Sequence, residues 1–269
     1  MDAQKLSRAF FALGLIGLGV LSLTYADFAL QWQPVPQSVP AREPLAYASG
    51  AILVLAAAGL LWKRTALVAA GVLFVYTLLW LVLLKLPSIA VAPLIEANWM
   101  GSAEIVVIVA ACWAAVASLS YAAPGPWKRV AQLAFGLSLI PLGISHFVYS
   151  TQTIAFVPSW LPNRAAWAYA SGAGHIAAGL GVLLGVVPRL AARLEAAMIG
   201  VFTVLVWGPA AVLTPTRLQW TGFFVSWTIA AAAWIVGESI TPVKTSLRDA
   251  IPVSPEQLPR SAPRDLTRL

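Results

Sequence analysis

Three ionisable side chains stand inside stretches that are otherwise apolar: His146, His175 and Glu104. Charge is costly in hydrocarbon, so an ionisable residue kept there points to function by default. Ser171 precedes His175 by four residues, which on a helix puts both on one face. Tyr149 follows His146 at i+3. Histidine titrates near neutral pH and, beside a carboxylate, can relay protons to a bound group such as a quinone head. One reading therefore joins His146, His175, Glu104, Ser171 and Tyr149 in a single outward-facing polar pocket. A second reading satisfies each group inside its own helical unit, with Glu104 snorkelling or pairing with Lys85 or Arg217. Two His and one Glu could ligate a metal, but no close His-x-x-x-His spacing occurs, so no metal site is assigned. Arg42 and Arg164 close two matching proline loops and read as loop anchors rather than anion sites. No P-loop, dinucleotide fingerprint, nucleophile elbow or Cys-rich cluster is present.

The elements that must position these residues follow from composition. The 269 residues are 60% hydrophobic and only 10% charged. A soluble domain carries about a quarter charged residues, so lipid must be the solvent for much of this chain. The net charge of +7 is then a matter of topology rather than of nucleic-acid binding. The one cysteine, Cys112, excludes an intramolecular disulfide. Eight segments approach the roughly 20 apolar residues that a spanning helix needs. They are Ala9–Phe28, Leu45–Trp62, Ala66–Leu84, Met100–Tyr121, Val130–Val148, Trp167–Val187, Leu194–Leu213 and Trp220–Gly237. None alternates with the period of a membrane strand. The expected fold is all-α, a polytopic bundle of eight transmembrane helices.

Basic residues orient the spans. With the N-terminus in the cytoplasm, 13 of the 17 Lys and Arg fall on the cytoplasmic side. Both termini are then cytoplasmic. Lys5, Arg8 and the apolar run ending at Thr24-Tyr25-Ala26 also resemble a secretory signal. The run is long for that, and its counterpart later in the chain is internal, so it is read as a retained span. Residues 239–269, rich in proline and mixed charge, read as a flexible cytoplasmic tail.

The chain repeats itself. Ala46-Tyr47-Ala48-Ser49-Gly50-Ala51 recurs as Ala168-Tyr169-Ala170-Ser171-Gly172-Ala173, 122 residues on. Val35, Pro36, Pro40 and Arg42 recur as Val157, Pro158, Pro162 and Arg164 at the same offset. Val75-Tyr76-Thr77 resembles Val201-Phe202-Thr203, and Trp99, Gly101 and Trp113 recur as Trp220, Gly222 and Trp234. The reading is two four-helix units, residues 1–122 and 123–238. Four spans is an even number, so the units are expected to share one orientation, as parallel repeats. The Ala-Ser-Gly clusters suit close helix packing in lipid.

The stretch Gly143 to Gly185 resembles the DoxX family of small bacterial membrane proteins. The resemblance rests on Gly143, His146 and Phe147, on the loop Val157, Pro158, Trp160, Leu161 and Pro162, and on a helix opening at Ser171-Gly172 and running to Gly179, Gly181 and Leu183-Leu184-Gly185. The first half keeps the loop prolines and Ser49-Gly50 but has Thr24 where the His stands. The resemblance implies a bundle in the bacterial inner membrane. Members are usually single four-helix units, so a fused pair departs from the pattern. Some relatives are linked to quinone-dependent thiosulfate oxidation or redox-stress complexes. The implied function is thus a redox-associated membrane subunit. Its expected partners are lipid, a quinone or other small apolar ligand, and a protein of a redox complex. A small-molecule transporter and a non-catalytic scaffold are the alternatives.

Overall fold

A computed structural model describes residues 2–120 and 125–240. The described residues are all-helical and contain no strand. The long helices are α1 (Ala3–Tyr25), α2 (Arg42–Gly59), α3 (Ala66–Val91), α4 (Glu96–Leu119) and α5 (Gly125–Val148). A short helix, α6 (Ser150–Phe156), precedes α7 (Arg164–Leu184), α8 (Pro188–Leu213) and α9 (Arg217–Ser239). The tail expected over residues 239–269 lies almost wholly outside the described residues.

Six helices, α1, α3, α4, α5, α8 and α9, are long and apolar enough to cross a membrane. Helices α2 and α7 fall short of that measure. The first opens on Arg42 and Glu43, and the second is diluted by Ser171, His175 and four glycines. The exterior is apolar where water would demand polarity: Leu55, Val68, Leu83, Leu137 and Leu184 are all well exposed. A surface of this kind is consistent with contact with a bilayer.

Packing is set by small residues. In lipid there is no hydrophobic force between helices, so close backbone approach has to supply the contact energy. Where α1 meets α2, a Cβ added at Gly19 would stand 2.7 Å from the carbonyl oxygen of Gly50. Where α5 meets α7, a Cβ at Gly143 would stand 2.5 Å from that of Gly172. Helix α2 also packs on α3, and α3 on α4; α7 packs on α8, and α8 on α9. In addition α1 packs on α9, α4 on α5, and α4 on α9.

Two helices are interrupted. A π turn occupies Leu81–Lys85 in α3, and another occupies Thr203–Trp207 in α8. Each is followed by a proline, Pro87 or Pro209, within two residues. Proline offers no backbone N–H, so the preceding carbonyls re-pair with a wider i→i+5 turn. The turns redirect Lys85 and Trp207 inward. Glycines on the facing helices make room for them. A Cβ at Gly101 would lie 3.1 Å from Lys85 Nζ, and one at Gly222 would lie 2.4 Å from the Trp207 ring.

Candidate functional site

A cavity of 650 Å³ lies between α4, α5, α7, α8 and α9, with the loop after α1 over one part of its wall. His146, His175 and Glu104 all line it, and so does Lys85. Helix α5 carries His146 near its C-terminal end, α7 carries His175 at mid-length, and α4 carries Glu104 two turns from its start. The remaining wall is mostly apolar and aromatic, with Trp32, Phe202 and Trp207 prominent.

His175 is buried, and its Nδ1 lies 2.6 Å from Oε1 of Glu195 on α8. Glu195 is 1% exposed. Its second oxygen, Oε2, is buried without a hydrogen-bond partner among the described residues. Among the described residues Nε2 of His175 makes no hydrogen bond and is left for another partner. The His146 ring stands 5.2 Å from that of His175, centroid to centroid. Its Nδ1 lies 3.1 Å from the Ala168 carbonyl oxygen. A carbonyl only accepts, so Nδ1 of His146 carries the proton and Nε2 is the free acceptor. Glu195, His175 and His146 thus form a row from the interior of the α7–α8 contact to the cavity.

Among the described residues no salt bridge within 4 Å joins Glu104 to Lys85 or Arg217, but Glu104 and Lys85 line the same cavity and attract each other electrostatically. Lys85 instead donates to the Gln31 carbonyl at 3.0 Å. Arg217 is engaged by Asp27, with Nη1 3.1 Å from Oδ2. Two further candidates stay off the cavity wall. Ser171 donates to the Trp167 carbonyl at 2.9 Å, closing a bond within its own helix. Tyr149 accepts from the Ala97 N–H through its hydroxyl at 3.1 Å and ties the start of α4 to the end of α5. Arg42 and Arg164 each hold the loop before them. Arg42 Nη1 donates to the Val35 carbonyl at 2.7 Å, and Arg164 Nε donates to the Val157 carbonyl at 2.8 Å. Among the described residues no three His, Cys, Asp or Glu side chains are grouped to hold a metal ion.

Asp27 sits outside the helices and joins the loop after α1 to the start of α9. Its carboxylate meets Arg42, Arg217 and the Phe28 N–H. Partial burial works against its charge. The Phe28 hydrogen bond, the Arg217 hydrogen bond and the two guanidinium charges outweigh that and hold its carboxyl below the ordinary value of 3.8.

Glu195 is the functional candidate that the sequence reading passed over. It stands two residues after Arg193 at the start of an apolar run, where it resembles an interfacial partner for Arg189 and Arg193. Those arginines bind Glu238 instead. In the register of the two π turns, 122 residues apart, which replaces the 126-residue offset of the Val75-Tyr76-Thr77 match, His175 and Glu195 stand where Leu53 and Leu73 stand earlier in the chain. Both leucines are fully buried in the apolar core.

A protein-family profile described as a domain of unknown function, DUF8561, matches residues 135–232. That stretch contains His146, His175 and Glu195 but neither Glu104 nor Lys85. No curated protein and no solved structure matches the chain.

Proposed function

We propose that this chain is an inner-membrane protein of eight spans in two like-oriented four-helix units, and that the cavity between them binds a quinone-type ligand and delivers protons to it. The observation that carries the reading is the meeting of His146, His175 and Glu104 on one cavity wall, with Glu195 behind His175. Reducing a quinone to a quinol takes two electrons and two protons. The carbonyl oxygens then need donors that can be recharged. His175, protonated on both ring nitrogens and held at Nδ1 by the Glu195 carboxylate, can give its Nε2 proton to one quinone oxygen, while Lys85 or Glu104, which line the same cavity, can give the second. The apolar remainder of the wall suits an aromatic head. Electrons would come from a protein partner in a redox complex, in keeping with the resemblance to DoxX.

The two-unit architecture is supported by paired details. The π turns, their prolines, the Gly101–Lys85 and Gly222–Trp207 contacts, and the Arg42–Val35 and Arg164–Val157 anchors recur at offsets of 121 or 122 residues. On the backbone contacts of Gly19 with Gly50 and Gly143 with Gly172, His146 corresponds to Ser22 rather than to Thr24. The positive-inside pattern then places both termini in the cytoplasm.

The experiment is extraction of the protein purified from native membranes, followed by assay for redox-active lipophiles. Bound quinone in the natural protein, lost in His175→Leu/Glu195→Leu, is the expected result. Equal quinone in both, or none in either, contradicts the reading. Transport is the second reading. It is favoured by the two proline-interrupted helices beside the cavity, because broken helices at midplane mark many transporter sites. Substrate flux across proteoliposomes without any redox partner would select it.

A further inference from the structure

A second concavity, of 530 Å³, lies between α1, α8 and α9, on the side of the bundle away from His146. Its wall is apolar except at one end, where Arg193 and Glu238 stand. The two-unit reading, on which this inference rests, explains why it is open. Around the α4–α5 contact Trp113 packs on Phe74 and on Trp127 of α5, with ring centroids 5.4 and 5.6 Å away. Trp234 is the counterpart of Trp113, 121 residues on. Ala196 stands where the first unit has Phe74, 122 residues earlier. Ala3 takes the place of Trp127 in the register set by Gly19 and Gly143. Two aromatic positions are thus alanines, and although Phe10 packs on Trp234 at 5.8 Å, a groove remains.

Charge at the groove's polar end is unbalanced. Arg189 and Arg193 share the single carboxylate of Glu238, at 2.6 and 2.7 Å. Arg193 spends Nε and Nη2 on it, and its Nη1 has no bond among the described residues. Its side chain is 46% exposed. A guanidinium with a free edge, at the end of an apolar slot, matches a phosphate joined to a hydrocarbon chain. Basic positions between helices at a membrane surface bind anionic head groups.

We propose that this groove holds one acyl chain of an anionic phospholipid, with the phosphate on Arg193. The test is native mass spectrometry of delipidated protein in detergent, offered phosphatidylglycerol or phosphatidylcholine. One phosphatidylglycerol per chain is expected, with phosphatidylcholine held about tenfold more weakly. Gly200→Leu fills the groove from a site where an added Cβ meets nothing within 4 Å. Ala196→Phe restores the first unit's aromatic. Each should lower phosphatidylglycerol retention roughly tenfold while leaving Tm and quinone binding unchanged. If Ala196→Phe does not fold, Gly200→Leu decides alone. Undiminished retention in Gly200→Leu, equal retention of the two lipids, or a dimer in place of a lipid adduct overturns the proposal. Absence of quinone binding to the natural protein, with lipid retention intact, would instead count against the proposed function.

Discussion

His175 and Glu195 touch inside the bundle, 2.6 Å apart, at positions that the repeat pairs with the buried Leu53 and Leu73. Leu53 and Leu73 are buried hydrocarbon, whereas His175 and Glu195 are a buried ionisable pair. Removing one member of such a pair strands the other without a partner, whereas replacing both with apolar residues of similar volume is often neutral or stabilising. His175→Leu or Glu195→Leu alone should therefore lower unfolding stability by about 3–5 kcal/mol. The double variant should recover most of that loss. Denaturant unfolding in detergent, arranged as a double-mutant cycle, measures it. Additive losses would mean that the two side chains are not coupled.

Helix approach at Gly143 leaves no space for a methyl group, because the obstacle is the backbone oxygen of Gly172. Backbone cannot swing aside as a side-chain end can. Gly143→Ala should cost about 1–3 kcal/mol through forced separation of α5 from α7. Gly200→Ala, with open space around its Cβ, should stay within about 0.5 kcal/mol of the natural protein. Thermal unfolding in detergent compares them.

Asp27 ties the loop after α1 to Arg217 at the start of α9. Its carboxyl is held below 3.8 in the folded protein. A lowered folded value means that the contribution is complete above the unfolded value and fades as pH falls through the folded one. Asp27→Asn should cost about 1 kcal/mol near neutral pH, within the range of solvent-reached ion pairs. The gap between natural protein and variant should close below pH of about 3.8. Melting temperatures of both proteins across that range check the sign. A gap that widens in acid would refute the assignment.

The sequence legibly placed the helices because apolar length is a local property. It also singled out His146, His175 and Glu104 as ionisable residues within apolar runs, and all three line one cavity. It did not disclose which groups touch. Ser171 shares a helical face with His175, yet its hydroxyl is satisfied one turn back at Trp167, as serine side chains in helices often are. Glu195 was hidden by nearby arginines whose partner, Glu238, arrives from another helix. The π turns had a visible cue in Pro87 and Pro209, but their effect on Lys85 and Trp207 depends on the facing glycines.

The most direct measurement is the equilibrium binding of a short-chain benzoquinone to purified protein in nanodiscs, for the natural chain and for the His175→Leu/Glu195→Leu variant. Saturable binding, weakened about tenfold or more in a double variant that remains folded, is the expected result. Absence of saturable binding to the natural protein, or equal affinity in both, would contradict a proton-delivering quinone cavity between the two units.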